Sequence, residues 1–418
     1  MSHLFHTHDK SILWLFSFIL TMFFSSCSNK KDTEIIDNYA TLKINNKSVS
    51  DTLDLSKIID SVELVKLTDA PKKPLASINQ LYTLGDHYIA IDAINTKRVN
   101  AYTASGKYVK TLMENGPLKT DALNVTDCYV NEKNEAIVYD YAQMKLTIFD
   151  SNLKIKKIVK GRILFNYDHI ASLPGTDNFV GYSSYYGYNA YLQHDKNNPS
   201  SLDVLSSTLS LSKKHLFYPQ QFGEISLVSL PKTFFPFQDS LRFFRTYDPY
   251  IYSLKKDKIE RRYKIIYDEG NIPPDFLEKI VAPNLHVYQT IGRDPSSYRT
   301  LYSDFQGYTL LNNWLETDDM IYISSMTFSD NTTNTINSII VKKGQKPAIL
   351  TAKVFSDRSK FKLTFPGFNA YDKEKNEFIA YCTGNKLKKY LDQNSPLIKP
   401  ADIVDDSFYL IKVRFKRN

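Results

Sequence analysis

Tyr88-Ile89-Ala90-Ile91-Asp92, a short loop, Val99 to Tyr102, a turn at Ala104-Ser105-Gly106-Lys107 and a further stretch from Tyr108 to Leu112 make up one unit of this sequence. Its apolar residues run in short stretches or alternate, bounded by turn residues, which is the pattern of strands rather than of helices. The same order returns as Ala136-Ile137-Val138-Tyr139-Asp140, Leu146 to Phe149, a turn at Asp150-Ser151-Asn152, and Ile155 to Val159. Asp92 and Asp140 lie 48 residues apart, and Tyr102 and Phe149 lie 47 apart. A repeat of roughly 40–50 residues built from short strands and turns has the period of a propeller blade.

Looser units follow on the C-terminal side. Phe179 to Tyr182 leads a third, Leu241 to Phe244 with Tyr250 to Leu254 a fourth, Met320 to Ser324 a fifth and Phe378 to Cys382 a sixth. Six such units predict an all-β, six-bladed β-propeller over residues 53–418. Ring closure abolishes exposed sheet edges, and the expected closing strand is Val62 to Leu67, paired into the blade that contains Phe408 to Phe415. The spacing requires Asp195–Thr233 and Glu269–Ser303 to be insertions. Pro273-Pro274-Asp275 in the second suits the first turn of a short helix. The rival architecture is a pair of β-sandwiches.

On the N-terminal side, His3, His6, His8 and Lys10 precede an apolar run from Ile12 to Phe24 that stops at Ser25-Ser26-Cys27. A weakly basic start, an apolar run shorter than the roughly 20 residues of a bilayer span, and small residues before a cut form a secretory signal over residues 1–26. The cysteine after two small residues resembles a bacterial lipobox, although Phe24 replaces the usual aliphatic residue. Cys27 is then the lipid-modified first residue of the mature chain, and residues 27–52 are its polar tether. Asp32 and Glu34 lie in that tether and are read as part of a solvated linker, a short acidic sorting signal being the alternative. This reading puts the protein in the cell envelope as an outer-membrane lipoprotein, periplasmic or surface-facing. Several acyl chains, at about 0.8 kcal/mol per buried methylene, hold such a protein on its membrane.

The 53 Lys and Arg against 45 Asp and Glu give a net charge of +8, which survives removal of residues 1–26 because these carry one lysine and one aspartate. The lysines are spread in pairs beside turns, as at Lys156-Lys157 and Lys213-Lys214, and form no phosphate-tracking stripe. Nucleic acid is therefore excluded as a partner. With Cys27 acylated only Cys128 and Cys382 remain, too few for a disulfide framework, and both are expected as buried thiols.

Residues that carry chemistry are sparse. His87, His169, His194, His215 and His286 lack the paired spacing of a zinc site and are expected on surfaces or in loops. There is no nucleophile elbow and no phosphate loop. Asp318-Asp319 and Asp405-Asp406 lack the alternating spacing of a calcium loop and suit turns. The segment from Gly181 to Tyr191 is rich in tyrosine, and Tyr182, Tyr185, Tyr186 and Tyr188 are candidate ligand-binding residues, since exposed aromatic faces with a hydroxyl at the rim suit sugars or peptides. The alternative is that these tyrosines pack between blades. Phe234-Phe235-Pro236-Phe237 and Phe243-Phe244 are expected in the core.

The run Ile58-Ile59-Asp60-Ser61-Val62-Glu63-Leu64-Val65-Lys66-Leu67, the turn Ser105-Gly106-Lys107-Tyr108, Asn115-Gly116-Pro117 and Tyr250-Ile251-Tyr252-Ser253-Leu254 resemble the six-bladed β-propeller lipoproteins of Bacteroidetes, relatives of the NHL-repeat proteins. Leu118 departs from the Gly-Glu that follows Gly-Pro in that family. The resemblance implies the fold and an envelope location, but no reaction and no catalytic residues. The functional expectation is a non-enzymatic recognition or scaffold module for a glycan, a peptide or an envelope protein, with no cofactor. The alternative is a metal-dependent lyase or hydrolase of the six-bladed propeller type. Asp92 and Asp140, at equivalent places in successive units, would then serve as ligands of a divalent metal.

Overall fold

The computed structural model describes residues 35–68, 74–116, 122, 124–161, 167–183, 200–217, 232–245, 247–284, 303–329, 332–341 and 348–416. Three strands come first, β1 (Ile36–Ile44), β2 (Ser50–Asp54) and β3 (Ile59–Lys66), and six sheets follow in succession. Blade one holds β4 (Gln80–Leu84), β5 (His87–Asp92), β6 (Arg98–Thr103) and β7 (Tyr108–Glu114); blade two holds β8 (Val125–Val130), β9 (Ala136–Asp140), β10 (Lys145–Phe149) and β11 (Ile155–Lys160). Blade three holds β12 (His169–Ser172), β13 (Phe179–Tyr182), β14 (Ser200–Leu205) and β15 (Leu211–Phe217); blade four holds β16 (Phe234–Phe237), β17 (Ser240–Phe243), β18 (Tyr250–Leu254) and β19 (Ile259–Tyr267). Blade five holds β20 (Thr309–Glu316), β21 (Met320–Ser329), β22 (Thr332–Val341), β23 (Ala348–Asp357) and the short β24 (Leu363–Phe365); blade six holds β25 (Ala370–Asp372), β26 (Glu377–Thr383) and β27 (Phe408–Phe415). This is the expected all-β, six-bladed propeller.

The first strands of neighbouring blades pack on one another, β25 on β4, β4 on β8, β8 on β12, β12 on β16 and β16 on β20, and so ring a central channel. Apolar layers fill the wedges between blades. Ile89 and Ile91 meet Val138 and Cys128 between blades one and two, and Leu410 and Ile379 meet Tyr88 and Ala90 between blades six and one. Middle strands are therefore covered on both faces and read as unbroken apolar runs. Outer strands are not: in β11 the side chains of Ile155 and Ile158 are 56% and 51% exposed, and Lys156, Lys157 and Lys160 blunt the edge against pairing with another chain.

The ring closes as expected. β3 pairs antiparallel with β27, with Val62 opposite Val413 and Leu64 opposite Ile411, so the N-terminal side of the chain supplies the outer strand of the last blade. Gly106 secures this seam. Its φ of +82° and the proximity of the Lys66 carbonyl exclude a side chain there, and its own carbonyl accepts the amide of Thr68 at 2.9 Å.

Three expectations need correction. Residues 36–52 are not a tether: β1 lies parallel on β19 and β2 lies parallel on β23, as extra outer strands of blades four and five. Only Ile44 of β1 is buried, so this strand is held by backbone pairing on an edge and carries no apolar face that a sequence pattern would reveal. Asp195–Thr233 is not an insertion either, because it contributes β14 and β15, without which blade three would be a hairpin. Its signal is weak because β14 buries Ser200, Ser201 and Asp203 beside its apolar residues. Finally, His169 and His215 are buried rather than at the surface. Pro273-Pro274-Asp275 does lead into a short helical segment, Leu277–Val281 followed by Ala282–Asn284. Cys128 and Cys382 are free, buried thiols in separate core regions, and burial pushes both above the ordinary thiol range. Among the described residues no helix is long and apolar enough to cross a membrane.

Candidate functional site

The channel wall is polar where three blades meet. Asp127 on β8 is buried, and its carboxylate accepts hydrogen bonds from Gln80 Nε2 on β4 at 2.6 Å and from the Ile170 amide on β12 at 2.9 Å. His169 Nδ1 stands 3.2 Å from the same carboxylate, and Gln80 returns its carbonyl to the Cys128 amide at 3.3 Å. A buried carboxylate costs stability unless its lone pairs are filled, and here the groups that fill them come from the first strands of blades one and three. Asp127 thus rivets three blades around the channel. The His169 ring lies parallel to that of Tyr182, with centroids 6.4 Å apart.

Two chambers open along the channel and share Leu81 and Lys232 as a common wall. The larger, about 310 Å³, is rimmed by turns between first and second strands, at Gly85, Asn134, Gln238, Asp318 and Lys373. Aromatic faces from Tyr82, Phe235, Phe237 and Tyr371 meet the carboxylates of Glu132, Glu316, Asp318, Asp372 and Glu374 there. Glu316 is fixed by a buried network: Arg242 Nε donates to it at 2.7 Å and the Tyr263 hydroxyl donates at 2.7 Å, joining blades four and five. The smaller chamber, about 240 Å³, lies towards the start of the first strands and is lined by Asn79, Gln80, Asn312, Asn313 and Asn369 among others. Gly367 lines it at a φ of +129°, where a β-carbon would collide with the Tyr322 hydroxyl and with Asn337.

Lys232 lies two residues before β16, the first strand of blade four. Its ammonium stands 3.9 Å from the centre of the Tyr82 ring and 5.3 Å from that of Phe235. The side chain is enclosed by protein on its flanks yet open to both chambers, so it is half-buried by accessible surface. Burial lowers its pKa to about 7, with Asp127 and Cys128 acting in the opposite direction.

The residues singled out from sequence take other places. Tyr182 ends β13 fully buried, in an edge-to-face contact with Phe243 at 5.3 Å, so it packs between blades three and four and offers no face to a ligand. Tyr185, Tyr186 and Tyr188 lie outside the described residues, as do Cys27 and residues 1–34. Asp92 and Asp140 do hold equivalent positions, each ending the second strand of its blade. The Asp92 carboxylate accepts the Ala76, Ser77 and Asn95 amides and the Ser77 and Thr96 hydroxyls. Burial opposes its ionisation, but these hydrogen bonds outweigh it and hold the group below the usual carboxylate range. Asp140 likewise accepts the Asn124 and Gln143 amides at 3.2 Å each. Both carboxylates organise turns, and they sit in different blades. Among the described residues no group of three His, Cys, Asp or Glu side chains is placed to hold a metal ion.

Sequence reasoning missed Asp127, His169 and Lys232. The only local trace was a single lysine one residue removed from the Phe234-Phe235 start of β16. Their conjunction depends on which strands the ring brings to its centre.

No curated protein matches the chain. Among solved structures, a protein of Bacteroides fragilis described as exported superposes with a TM-score of 0.64 at 13% identity, covering 91% of this chain and 100% of that one. A member of the DUF4221 family from Bacteroides vulgatus gives 0.44 at 8% identity, covering 86% and 98%. Virginiamycin B lyase from Staphylococcus aureus gives 0.36 at 8%, covering 84% and 98%. The first likeness shows the fold; the other two are too distant to carry an argument. A family model described as a domain of unknown function, DUF4934, matches residues 39–407, from within β1 to the approach to β27, and the chain belongs to that family.

Proposed function

We propose that this protein is a lipid-anchored envelope recognition module that binds a small glycan in its central channel without turning it over. The observation that carries this reading is the pair of chambers meeting at Leu81 and Lys232. Aromatic faces beside carboxylates and amides are the chemistry that receives a sugar: the rings cover its C–H faces and the polar groups take up its hydroxyls. Chambers of about 310 and 240 Å³ suit one or two sugar units rather than a long chain in either alone. The secretory pattern of residues 1–26, Cys27 after two small residues, and the exported relative from Bacteroides fragilis support the address.

Two experiments test the reading. Thermal unfolding of the detergent-solubilised full chain is followed against glycan fragments, peptides, divalent metals and a chelator. A ligand of the native state raises stability by mass action, about 2.7 kcal/mol at a concentration of 100 Kd. Glycan fragments are expected to raise the midpoint and the chelator to leave it unchanged. A chelator-induced drop restored by calcium or zinc supports the metal-dependent enzyme instead. For the anchor, a fatty-acid analogue is expected to label the wild type and not Cys27→Ser; equal labelling of the two refutes lipidation.

A further inference from the structure

The two chambers differ in charge, and the difference has a chemical meaning. Among the described residues five carboxylates line the larger one and none lines the smaller. At the smaller chamber Gln80 and Asn313 already donate, to Asp127 and to the Phe368 carbonyl, whereas Asn79 and Asn369 have spent their acceptors and kept donors. Asn79 Oδ1 accepts the Ala93 amide at 2.9 Å and the Ile94 amide at 3.2 Å, and Asn369 Oδ1 accepts the Tyr381 amide at 3.3 Å. These bonds orient each amide, because its oxygen must meet the backbone N–H groups. The NH2 groups of Asn79 and Asn369 then find no partner among the described residues. Asn312 also has none there, and the β20–β21 register slips between Leu311 and Asn313, so Asn312 is the extra residue of a bulge in a channel-lining strand. Bulges re-aim side chains and recur beside functional sites.

Lys232 completes the set. Among the described residues no hydrogen bond or ion pair holds its ammonium; the Tyr82 and Phe235 rings lie beside it, and the Asp127 carboxylate, already occupied by Gln80, the Ile170 amide and His169, favours its charged form. A cation without a direct ion pair, beside unspent amide donors in a chamber with no carboxylate among its described lining residues, is a site for an anion.

We propose that the smaller chamber binds the carboxylate of an acidic monosaccharide, a hexuronate or a sugar of similar size, with Lys232 as its counter-ion and the asparagine amides as donors. The proposal rests on the reading of the channel as a glycan-recognition site and names the class of glycan. The carboxylates of the larger chamber repel the acid group, so the acidic sugar sits with its charge on the asparagine side of Lys232 and any neutral neighbour on the aromatic side.

The test is titration calorimetry on the full chain with matched pairs: glucuronate against glucose, galacturonate against galactose. The acid of at least one pair is expected to bind tenfold or more tightly than its neutral partner. Lys232→Met is expected to abolish that preference while Lys232→Arg retains it. Acid and neutral sugars binding equally to the wild type overturns the anion site but leaves glycan recognition standing. A preference that survives in Lys232→Met overturns the role of the lysine. Silence from every sugar in the wild type overturns both this inference and the reading on which it rests.

Discussion

Asp127 and Lys232 show how single residues govern the channel. Truncating Asp127 to alanine strands Gln80, the Ile170 amide and His169 in a buried setting. Leaving such groups unsatisfied costs about 2–4 kcal/mol, so Asp127→Ala is expected to lower the denaturation free energy by that amount in urea titrations. Lys232 has the opposite sign. Its pKa falls from 10.5 to about 7 on folding, so between those values the unfolded chain holds a proton that the native chain does not. Stability from this site is therefore lowest below pH 7 and recovers as pH rises towards 10.5. Asp127 and Cys128 on β8 and Tyr82 on β4 face the ammonium, with His169 behind Asp127, and they remain in place in a Lys232→Met variant. That variant is expected to be more stable than wild type at pH 6, with the difference shrinking by pH 10; a difference independent of pH would refute the lowered pKa. None of this was legible in the sequence. Asp127, His169 and Lys232 are 42 or more residues apart along the chain, and none stands in a local motif.

Among the elements, those with buried faces announced themselves and those held by their backbones did not. β5 and β9 bury nearly every side chain and were plain as apolar runs, and β3 was recognisable because Ile59, Val62 and Val65 are buried against the last blade. β1 exposes almost every residue and β2 buries none, so their pairing to β19 and β23 left no trace in hydrophobic pattern. The two kinds of strand should also behave differently when removed. A chain starting at Leu55 lacks β1 and β2, uncovers the edges of blades four and five, and is expected to keep a single cooperative thermal transition with greater self-association. A chain starting at Leu67 also lacks β3 and opens the ring, and it is expected to lose that transition. Equal melting of the two chains in differential scanning calorimetry would contradict closure by β3.

For the whole molecule, closure and the channel are one property. β3 is bound to its blade by a charge cluster as well as by its ladder: Lys412 Nζ lies 2.6 Å from Glu63 and 3.0 Å from Glu377, and Arg414 lies 2.8 Å from Glu377. Burial would lower the Lys412 ammonium, but Glu63, Tyr88 of blade one and Glu377 together hold it above its ordinary range. Only a closed ring brings β4, β8, β12, β16, β20 and β25 to one axis, and only there do the two chambers exist. The sixfold repeat could be read from a period of 47 and 48 residues in the first two blades, whereas the channel's chemistry required the ring to be assembled first. The most direct measurement is therefore the affinity of the glycan identified by thermal unfolding for the wild type and for Asn312→Trp, in which an indole fills the smaller chamber from a bulge residue without a side-chain partner among the described residues. Binding is expected to weaken at least tenfold while the unfolding midpoint without ligand stays within a few degrees; undiminished affinity in the plugged variant would place recognition elsewhere and contradict the channel as the binding site.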